Sequence, residues 1–450
     1  MINSIIAHLR NRKTFFRGSA ILAGTTALSY GFGLLRDRMF AHTFGATRTL
    51  DAYHAAFIVP DLLLNMFVAG ALTAAFVPIF MRLNTDNEQP YPFVNTVVTS
   101  SLVVMAVGAV FIWLFARPIA HLIAPGFEPT ALAQLVILMR ILLLSPIIFA
   151  ISNTLGSINV TRERFFWYGL SAVLYNLGTI GGVFFFGIKY GIVAAAWGTV
   201  AGAVLHMLVR LIGNWEFVRN YRPRFFYDLH FKDFLRIMLP KLLVQPIEQY
   251  TMLGFTVIAS TIGAGTIVVL DFARNFQSMP INLIGATFAM TAFPALSRAA
   301  AQFDLFSFKK ELSFSTRTIL LISIPSALLL FVFRFALIAL LLGGGAFDAH
   351  AIAVTATTLG WFALSVPTEC LSNLYARAFY ALKNSVTVVS VTLLSLAISI
   401  LFGWRLSGSM GAPGLALGFF AGSIIKITLL SLLLRRETRS RFVSGVIELP

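Results

Sequence analysis

The stretch GLLRDRMFAHTFGATRTLDAYHAAFIVPDLLLNMFVAGALTAAFVPIF, residues 33–80, decides the fold. It contains two apolar runs separated by a short polar segment, and each run approaches or exceeds the length that crosses the hydrocarbon core of a bilayer. Charged residues nevertheless lie within or at the edges of these runs, among them Arg36, Asp37, Asp51 and Asp61. The stretch therefore predicts membrane helices that carry polar groups.

The composition of the whole chain supports a membrane protein. Of 450 residues, 58% are hydrophobic and only 12% are charged, whereas a soluble domain carries about 25% charged residues. These values exclude a water-soluble enzyme and a disordered chain. The single cysteine, Cys370, excludes a disulfide framework and a cysteine-based metal site. We predict no metal and no cofactor.

Hydrophobic windows of membrane-spanning length follow one another along the chain, and we count about twelve. They cover residues 18–41, 51–81, 93–124, 131–160, 166–188, 192–215, 237–262, 266–297, 312–342, 351–381, 385–408 and 412–434. Several windows are longer than one crossing requires, which indicates tilt or a break at an internal proline. The candidate prolines are Pro60, Pro146, Pro280 and Pro367.

The distribution of positive charge predicts the orientation. With the N-terminus inside, 23 of the 34 Lys and Arg residues fall on cytoplasmic segments, Arg210 among them, and four fall outside. This asymmetry places both termini in the cytoplasm. The net charge of +16 thus records cytoplasmic loops, and we predict no nucleic-acid partner. The seven remaining cations lie within predicted spans.

The two halves of the chain repeat each other. Asp51 and Asp271 differ by 220 positions, and so do Pro60 and Pro280. The same offset relates Ser145 to Ser365, Asn153 to Asn373, and Phe127 to Phe347. The pattern predicts a duplicated six-helix unit. Because six is even, the two copies have the same orientation and are expected to surround a central cavity, as in alternating-access carriers.

These observations predict an all-α polytopic membrane protein built from two six-helix bundles. The N-terminal bundle covers residues 1–215 and the C-terminal bundle covers 237–434. Residues 216–236 form an amphipathic cytoplasmic linker rich in basic and aromatic residues, and 435–450 form a basic tail.

The charges inside the membrane are the candidate functional groups, because a charge at mid-bilayer costs about 3 kcal/mol on insertion scales and persists where it faces a cavity or a partner. Arg36 and Asp37 point about 100° apart on a helix, so they cannot both meet one partner. One interpretation is a polar wall facing a water-filled chamber; the alternative is a salt bridge such as Arg36 with Asp51 that locks two helices. Further polar residues on the first two spans are Arg38, His54, Asp61 and Asn65.

In the second half, Asp271 and Arg274 are spaced i, i+3 and share one helix face. The planar fork of an arginine suits a pyrophosphate, so Arg36 and Arg274 on opposite bundles would form a clamp. Glu248 and Glu369 could hold a coupling ion or take part in an internal ion pair, and both readings stay open. Enzyme signatures are missing, so we predict a transporter rather than an enzyme.

Four segments resemble one known family. They are residues 33–80, the stretch 280–297, GAFDAHA at 345–351 and RAFYALKNS at 377–385. They are similar to signatures of the MurJ/MviN lipid II flippases of the MOP superfamily, and the resemblance extends over nearly the whole chain. It implies a bacterial inner-membrane carrier of the undecaprenyl-pyrophosphate-linked peptidoglycan precursor, lipid II.

The resemblance also implies which residues form the substrate-binding site. The family's functional Arg-Asp pair and second-helix Asp match Arg36, Asp37 and Asp51. Its other cavity arginines correspond here to Tyr30 and Leu64, and its eighth-helix arginine matches Arg274 with a one-residue shift or Asn275 without it. No spanning window follows residue 434, so the lipid groove formed by two extra C-terminal helices in the family is not expected. The resemblance thus implies a cavity with fewer arginines than is usual.

The resulting hypothesis is a lipid II flippase that acts in peptidoglycan biosynthesis. Arg36, Asp37, Asp51 and Arg274 are its primary substrate-binding candidates. Alternatives are a flippase for another polyprenyl-linked polysaccharide precursor, a cation-coupled drug exporter, and a non-transporting scaffold for cell-wall enzymes. The expected partners are lipid II, membrane lipids and peptidoglycan-synthesis proteins. Sodium, protons or the membrane potential are the candidate energy sources.

Overall fold

The computed structural model describes residues 2–67, 71–85, 89–225, 228–242 and 247–444. These ranges contain helices, short turns and one isolated antiparallel bridge. The first half contains α1 (Ile2–Phe44), α2 (Arg48–Phe67), α3 (Ala71–Thr85), α4 (Tyr91–Leu114), α5 (Ala116–Ile123), α6 (Pro129–Leu142), α7 (Leu144–Thr161), α8 (Phe165–Tyr190), α9 (Ile192–Gly213) and α10 (Trp215–Arg219).

The second half of the chain contains helices of 14 to 37 residues and one π-helical turn. It contains α11 (Leu229–Leu242), α12 (Ile247–Ile262), α13 (Thr266–Pro280), a π-helical turn (Ile281–Ala286), α14 (Thr287–Ala301), α15 (Leu305–Leu341), α16 (Ala349–Leu364), α17 (Val366–Ala381), α18 (Ser385–Met410) and α19 (Ala412–Ser444). The all-α class predicted from the sequence is confirmed.

Nine helical segments among the described residues are long and apolar enough to cross a membrane. They coincide with nine of the twelve predicted windows. The other three windows fall on α1, on α2 with α3, and on α12 with the end of α11. The chain is therefore a multi-pass membrane protein.

Three of the four predicted prolines lie at helix interruptions, because proline cannot donate the backbone hydrogen bond of a helix interior. Pro146 and Pro367 stand in the first turns of α7 and α17, directly after the breaks that follow α6 and α16. Pro280 closes α13 and precedes the π-helical turn. Pro60 lies inside α2, which continues to Phe67 without a break.

The backbone confirms the repeat. Helices α6, α8 and α9 begin 220 positions before α16, α18 and α19. Three pairs of residues with positive φ have the same offset: Gly45 and Gly265, Glu163 and Lys383, and Gly191 and Gly411. A left-handed conformation is uncommon for residues such as Glu163 and Lys383, so its recurrence at matching positions indicates two copies of one helical unit.

The described helices form two compact units, one containing residues 1–44 and 52–249 and the other residues 45–51 and 250–450. The predicted boundary at 236 differs from this division, because α11 packs against α3 of the first unit. The predicted boundary at 434 falls inside α19.

In the first unit, aromatic side chains form a core near the predicted linker. The ring of Phe76 stacks on those of Phe80 and Phe93, with centroids 5.4 Å apart in both pairs. Phe217 and Phe234 of the predicted linker are buried against the same cluster. Part of the apolar surface of the linker therefore packs onto protein, whereas Phe225 and Leu229 are exposed.

The second unit has its core around α17. Phe308, Leu374, Phe379 and Leu430 are almost fully buried there and bring together α15, α17 and α19. Small residues allow close packing of the last two helices, since a Cβ added at Gly422 of α19 would overlap the Ser399 side chain of α18. Gly202 of α9, 220 positions earlier, lies as tightly against the Tyr175 backbone in the first unit.

Candidate functional site

Arg36 on α1 is the most completely oriented candidate in the first unit. Its Nε and Nη2 donate to Oδ1 of Asp37 at 3.0 and 2.8 Å, and its Nη1 donates to Oδ1 of Asn176 on α8 at 3.2 Å. Its side chain is 27% exposed and that of Asp37 is 9% exposed. The two residues point apart on the helix, as predicted, but the length of the arginine lets its guanidinium bend back to the neighbouring carboxylate.

Asn176 fixes the position of this guanidinium. Its Nδ2 donates to the carbonyl oxygen and the hydroxyl of Ser29 on α1 and to the carbonyl oxygen of Ala172 on its own helix. These bonds leave the amide oxygen facing Arg36. The α1–α8 contact therefore holds the arginine in place. Two of its five N–H groups, one on Nη1 and one on Nη2, have no acceptor among the described residues.

A buried hydroxyl network lies beside this pair on α2, α8 and α9. The hydroxyl of Tyr53 is 2.7 Å from that of Thr199, which is 3.3 Å from the hydroxyl of Thr179. The Tyr53 ring packs edge-on against Phe40, with centroids 5.1 Å apart. The network satisfies its polar groups internally and holds α2 against α9.

The remaining candidates on α1 and α2 differ in accessibility. Arg38, Asp61 and Tyr30 are exposed, whereas His54, Leu64 and Asn65 are partly buried. The ring of His54 packs edge-on against that of Tyr53. Their proposed roles stay predictions.

Asp51 occupies a different environment from Arg36. It is fully buried, and its two carboxylate oxygens accept hydrogen bonds from the backbone N–H groups of Gly265 at 2.7 Å and Val268 at 3.0 Å. Gly265 is the N-cap of α13 and has no side chain to cap it, so Asp51 supplies the cap that such a helix end requires. The negative charge also suits the positive end of the helix dipole.

The segment around Asp51 belongs to the second unit. Nη1 of Arg48 donates to the carbonyl oxygen of Ser260 at 3.2 Å and lies 3.7 Å from the Asp51 carboxylate. A Cβ on Gly45 would overlap the carbonyl of Ala346. Within its own unit each group has partners: Arg36 bonds to Asp37 and Asn176, and Asp51 bonds to the start of α13. A fully buried carboxylate also offers no free surface to a substrate.

Residues 343–351 form a turn followed by a helix start. Gly344 and Phe347 make the antiparallel bridge, and Oδ1 of Asp348 accepts a hydrogen bond from the N–H of Ala351 at 2.8 Å. Asp348 is thus the N-cap of α16. The glycine-rich stretch is a structural turn that opens a membrane helix.

On α13, Asp271 and Arg274 are both partly buried and Asn275 is exposed. Arg274 makes no ion pair with any residue that the structure describes. Arg36 lies in the first unit and Arg274 in the second, and their joint action on one substrate stays a prediction.

Glu369 takes part in an internal ion pair, and its role as a coupling-ion ligand stays a prediction. It is buried, and Nζ of Lys426 donates to its Oε2 at 2.6 Å. The hydroxyls of Thr368 and Ser423 lie 2.8 Å apart in the same α17–α19 contact. Glu369 therefore belongs to an internal ion pair. The side chain of Glu248, the other glutamate, lies outside the described residues.

Arg210 is a charged residue whose burial the sequence does not predict. The charge distribution assigns it to the cytoplasmic segments, whereas the structure has it only 5% exposed inside α9. Its Nε donates to the Ser171 hydroxyl, and its Nη1 donates to the carbonyl of Ser152 and the amide oxygen of Asn153, all at 3.0 Å. Tyr168 lies under the guanidinium, 4.7 Å from ring centroid to Cζ.

This network extends to two further polar side chains. Nδ1 of His206 is 2.7 Å from the Ser152 hydroxyl, and Nδ2 of Asn214 donates to Oδ1 of Asn159 at 2.8 Å. The polar residues of α7, spaced close to one helical turn apart in SNTLGSINV at 152–160, are the signal that could have located a buried partner for Arg210.

A family model described as "Lipid II flippase MurJ" matches residues 40–448. The chain belongs to the MurJ family. The match includes the segment 45–51 and the Asp271–Asn275 region, and it begins just after Arg36 and Asp37. The prediction of a transporter is confirmed at the level of the family.

Relatives in the MurJ family are similar along most of their length. A "Lipid II flippase MurJ" from Burkholderia cenocepacia is 28% identical over 435 residues, which cover 94% of this chain and 84% of that protein. A "Probable lipid II flippase MurJ" from Thermotoga maritima is 27% identical over 400 residues, covering 89% and 81%.

Solved structures show the same fold. A lipid II flippase MurJ in an inward closed conformation superposes with a TM-score of 0.76 at 22% identity, covering 94% of this chain and 90% of that one. An inward-facing multidrug resistance MATE transporter of the MOP superfamily also gives a TM-score of 0.76, at 16% identity, covering 93% and 96%. Fold alone therefore does not distinguish MurJ from MATE carriers, and the substrate has to be argued from the family match and the site.

Proposed function

We propose that this MurJ family member carries lipid II, the undecaprenyl-pyrophosphate-linked peptidoglycan precursor, from the inner to the outer leaflet of the bacterial cytoplasmic membrane. The support is the family match over residues 40–448, together with an oriented and accessible guanidinium within an apolar helix. The observation that carries the assignment of the site is the geometry of Arg36.

Arg36 is suited to a pyrophosphate for three reasons. Its charge stands in a low-dielectric region, where an anion is attracted more strongly than in water. Asp37 and Asn176 hold the guanidinium in place before the ligand arrives, which lowers the entropic cost of binding. Its two remaining N–H groups can donate to phosphate oxygens, which guanidinium groups bind with strong charge-assisted hydrogen bonds.

The same arrangement limits the affinity, which a carrier requires because it has to release its substrate. The carboxylate of Asp37 already neutralises most of the guanidinium charge and repels an approaching phosphate. Binding is therefore reversible by a shift of Arg36 between the two anions. In this proposal Asp37 is a positioning residue, Asp51 fixes the start of α13, and Arg274 is the candidate phosphate-binding residue of the second unit.

The remaining parts of the proposal concern orientation, energy and partners. Both termini lie in the cytoplasm, as the positive-inside distribution predicts. The headgroup crosses by alternating access while the lipid tail stays in the bilayer. A sodium ion, a proton or the membrane potential drives the cycle, and peptidoglycan-synthesis proteins receive the product.

The test uses Arg36→Ala, Arg36→Lys and a matched control, Arg117→Ala. Arg117 is an exposed arginine on α5, so its loss removes one charge without touching the site. In a strain depleted of its own flippase, Arg36→Ala should fail to support growth, Arg36→Lys should support it weakly because a lysine lacks the fork, and the control should grow normally. Normal growth with Arg36→Ala at equal membrane abundance would contradict the site.

A vesicle assay separates the alternative substrates. Purified protein in liposomes is supplied with labelled lipid II, with a polyprenyl-pyrophosphate carrying another saccharide, or with an organic cation. Movement of lipid II that depends on Arg36 supports the proposal. Equal transport of an organic cation would assign a drug exporter, and no transport of any of the three would favour a scaffold.

A further inference from the structure

A second basic site lies in the second unit, at the end where α15 begins and α19 finishes. It is a cavity of about 400 Å³ with walls from α15 and α19 and a floor from Tyr375 of α17. Lys309 and Arg317 line it from α15, and Arg435 lines it from α19. None of its described lining residues is a carboxylate, so the cavity carries three positive charges. We call it the basic pocket.

Helix geometry explains how the two walls converge. Lys309, Ser313 and Thr316 are spaced i, i+4 and i+7 on α15, and Ser431, Arg435 and Thr438 have the same spacing on α19. Residues so spaced share one helix face. Both helices pack on α17, which directs these faces toward the same space. The nearest acidic residue of α15, Glu311, lines a different cavity.

One polar side chain of the pocket, that of Thr316, could form a hydrogen bond with a ligand. The hydroxyl oxygen of Thr316 is buried and has no hydrogen-bond partner in the part of the chain that the structure describes. The hydroxyl of nearby Thr318, in contrast, donates to the carbonyl of Phe314. Buried polar groups in proteins nearly always have a partner, so the Thr316 hydroxyl is available to an oxygen atom of a ligand.

We propose that the basic pocket binds the phosphate of an anionic glycerophospholipid. Three cations and a free hydroxyl match the oxygens of a phosphodiester, and a volume of about 400 Å³ lies within the range of ligand pockets but holds a headgroup rather than whole acyl chains. Leu321 on α15 is 76% exposed and Leu432 on α19 is 55% exposed. The pocket therefore adjoins exposed apolar surface on both wall helices, where the acyl chains of a bound lipid would lie. A soluble phosphate would not contact this surface.

The basic pocket is separate from the lipid II site proposed above, since it uses neither α1 nor α13. Basic pockets between transmembrane helices are a known means of holding lipid headgroups. The inference stands or falls independently of the transported substrate, because a protein that flipped another lipid would keep the same pocket.

The experiment measures lipid binding to the purified full chain by native mass spectrometry in detergent. The probes are phosphatidylglycerol, phosphatidylcholine and inorganic phosphate. The test variant is Arg317→Gln with Arg435→Gln. The control is Arg436→Gln with Arg439→Gln, which removes the same charge from exposed positions on α19 that do not line the pocket. Thermal melting of each variant confirms that it is folded.

Wild-type protein and the control should bind phosphatidylglycerol in preference to phosphatidylcholine, and the test variant should bind it at least about tenfold more weakly. Thr316→Val, which keeps the shape and removes the hydroxyl, should weaken binding by about threefold. Equal binding by the test variant and the control would overturn the proposal. Binding of inorganic phosphate without preference for phosphatidylglycerol would assign a soluble anion and would overturn the lipid assignment.

Discussion

Arg36 and Arg210 are two arginines of the first unit that stand in apolar helices and have opposite surroundings. Arg36 faces a carboxylate, and its side chain is 27% exposed. Arg210 is 5% exposed and is held by two hydroxyl or amide oxygens, a carbonyl oxygen and an aromatic ring. The former has N–H groups to offer a ligand; the latter is enclosed by α7, α8 and α9.

The difference teaches how to separate a functional charge from a structural one inside a membrane protein. Burial of a charge is costly unless the charge is hydrogen-bonded, and both arginines make three hydrogen bonds with described residues. Those of Arg210 go to neutral groups, which together with the Tyr168 ring enclose it between three helices. Two of those of Arg36 go to a carboxylate, and its guanidinium stays accessible to a ligand. We therefore expect loss of Arg36 to remove function while leaving stability, and loss of Arg210 to do the reverse.

The largest expected effect is that of Arg36→Met on transport. Losing charge-assisted hydrogen bonds worth about 3 kcal/mol should reduce lipid II transport about 100-fold. The melting temperature should fall by less than in Arg210→Met, because the Arg36 side chain is 27% exposed and its loss opens a path for water to the Asp37 carboxylate. Transport in liposomes and thermal melting are measured on the same preparation. A fall in melting temperature as large as that of Arg210→Met would place Arg36 in the same class as Arg210.

Arg210→Met should have its main effect on stability. It leaves the Ser152 carbonyl, the Asn153 amide oxygen and the Ser171 hydroxyl without their donor, at a cost of about 3 kcal/mol. Denaturant unfolding in detergent measures this loss. The transport rate per folded molecule should be close to that of wild type, and a selective loss of transport without destabilisation would give Arg210 a functional role.

Glu369→Gln tests whether the second unit also uses a buried charge for structure. Removing one member of the Glu369–Lys426 pair leaves a buried ammonium and should cost about 2 kcal/mol. Adding Lys426→Met should recover part of this loss in a double-mutant cycle. Transport should keep its dependence on sodium or proton gradients in the double variant. If the gradient dependence were lost while stability was kept, Glu369 would be assigned as a ligand of the coupling ion.

Asp51→Ala should cost about 1–2 kcal/mol of stability, the range for loss of a helix cap. Asp51→Asn should cost less, since one amide oxygen can still accept a hydrogen bond. Hydrogen exchange of the Gly265 and Val268 amides reports the cap directly, and both should exchange faster in the alanine variant. Unchanged exchange together with lost transport would show that Asp51 acts on the substrate.

The smallest effect concerns Asp304, the N-cap of α15. The hydroxyl and backbone N–H of Ser307 donate to its carboxylate and hold its pKa below the ordinary value of 3.8. The stabilisation is therefore present at pH above the unfolded pKa and is lost as the pH falls through the folded one. Asp304→Ala should lower the melting temperature slightly at pH 7 and not at all at a pH below both values. An equal difference at both pH values would contradict this role.

The sequence predicted the helices well because membrane spans are recognised from composition and length alone. The sequence also predicted the repeat, because Asp, Pro and Ser residues recur at one offset of 220 positions although the two halves are otherwise dissimilar. Pro146, Pro280 and Pro367 lie at helix interruptions as expected. Pro60 does not break α2, because a single proline can be accommodated when neighbouring groups satisfy the freed carbonyl.

The site was predictable in part. Charge inside an apolar run identified Arg36 and Asp37, and the structure gives them a defined geometry. The environments of Asp51 and Arg210 depend on residues 214 and about 57 positions away respectively. The polar side chains of α7 indicate that this helix has a buried polar partner, but a local pattern does not identify which residue that partner is. Sorting the charges by membrane side assigns Arg210, near the end of its window, to the cytoplasmic segments without reporting whether the side chain is buried.

The cap on α13 also constrains the order in which the protein can be assembled. Asp51 is synthesised 214 residues before Gly265, an interval of roughly 10–40 s at ribosomal rates. During this time its carboxylate has no helix end to bind. A fragment starting at residue 250 would lack residues 45–51 and would leave the first turn of α13 uncapped. Splitting the gene between the halves should therefore give a second fragment that becomes stable only when the first is made in the same cell.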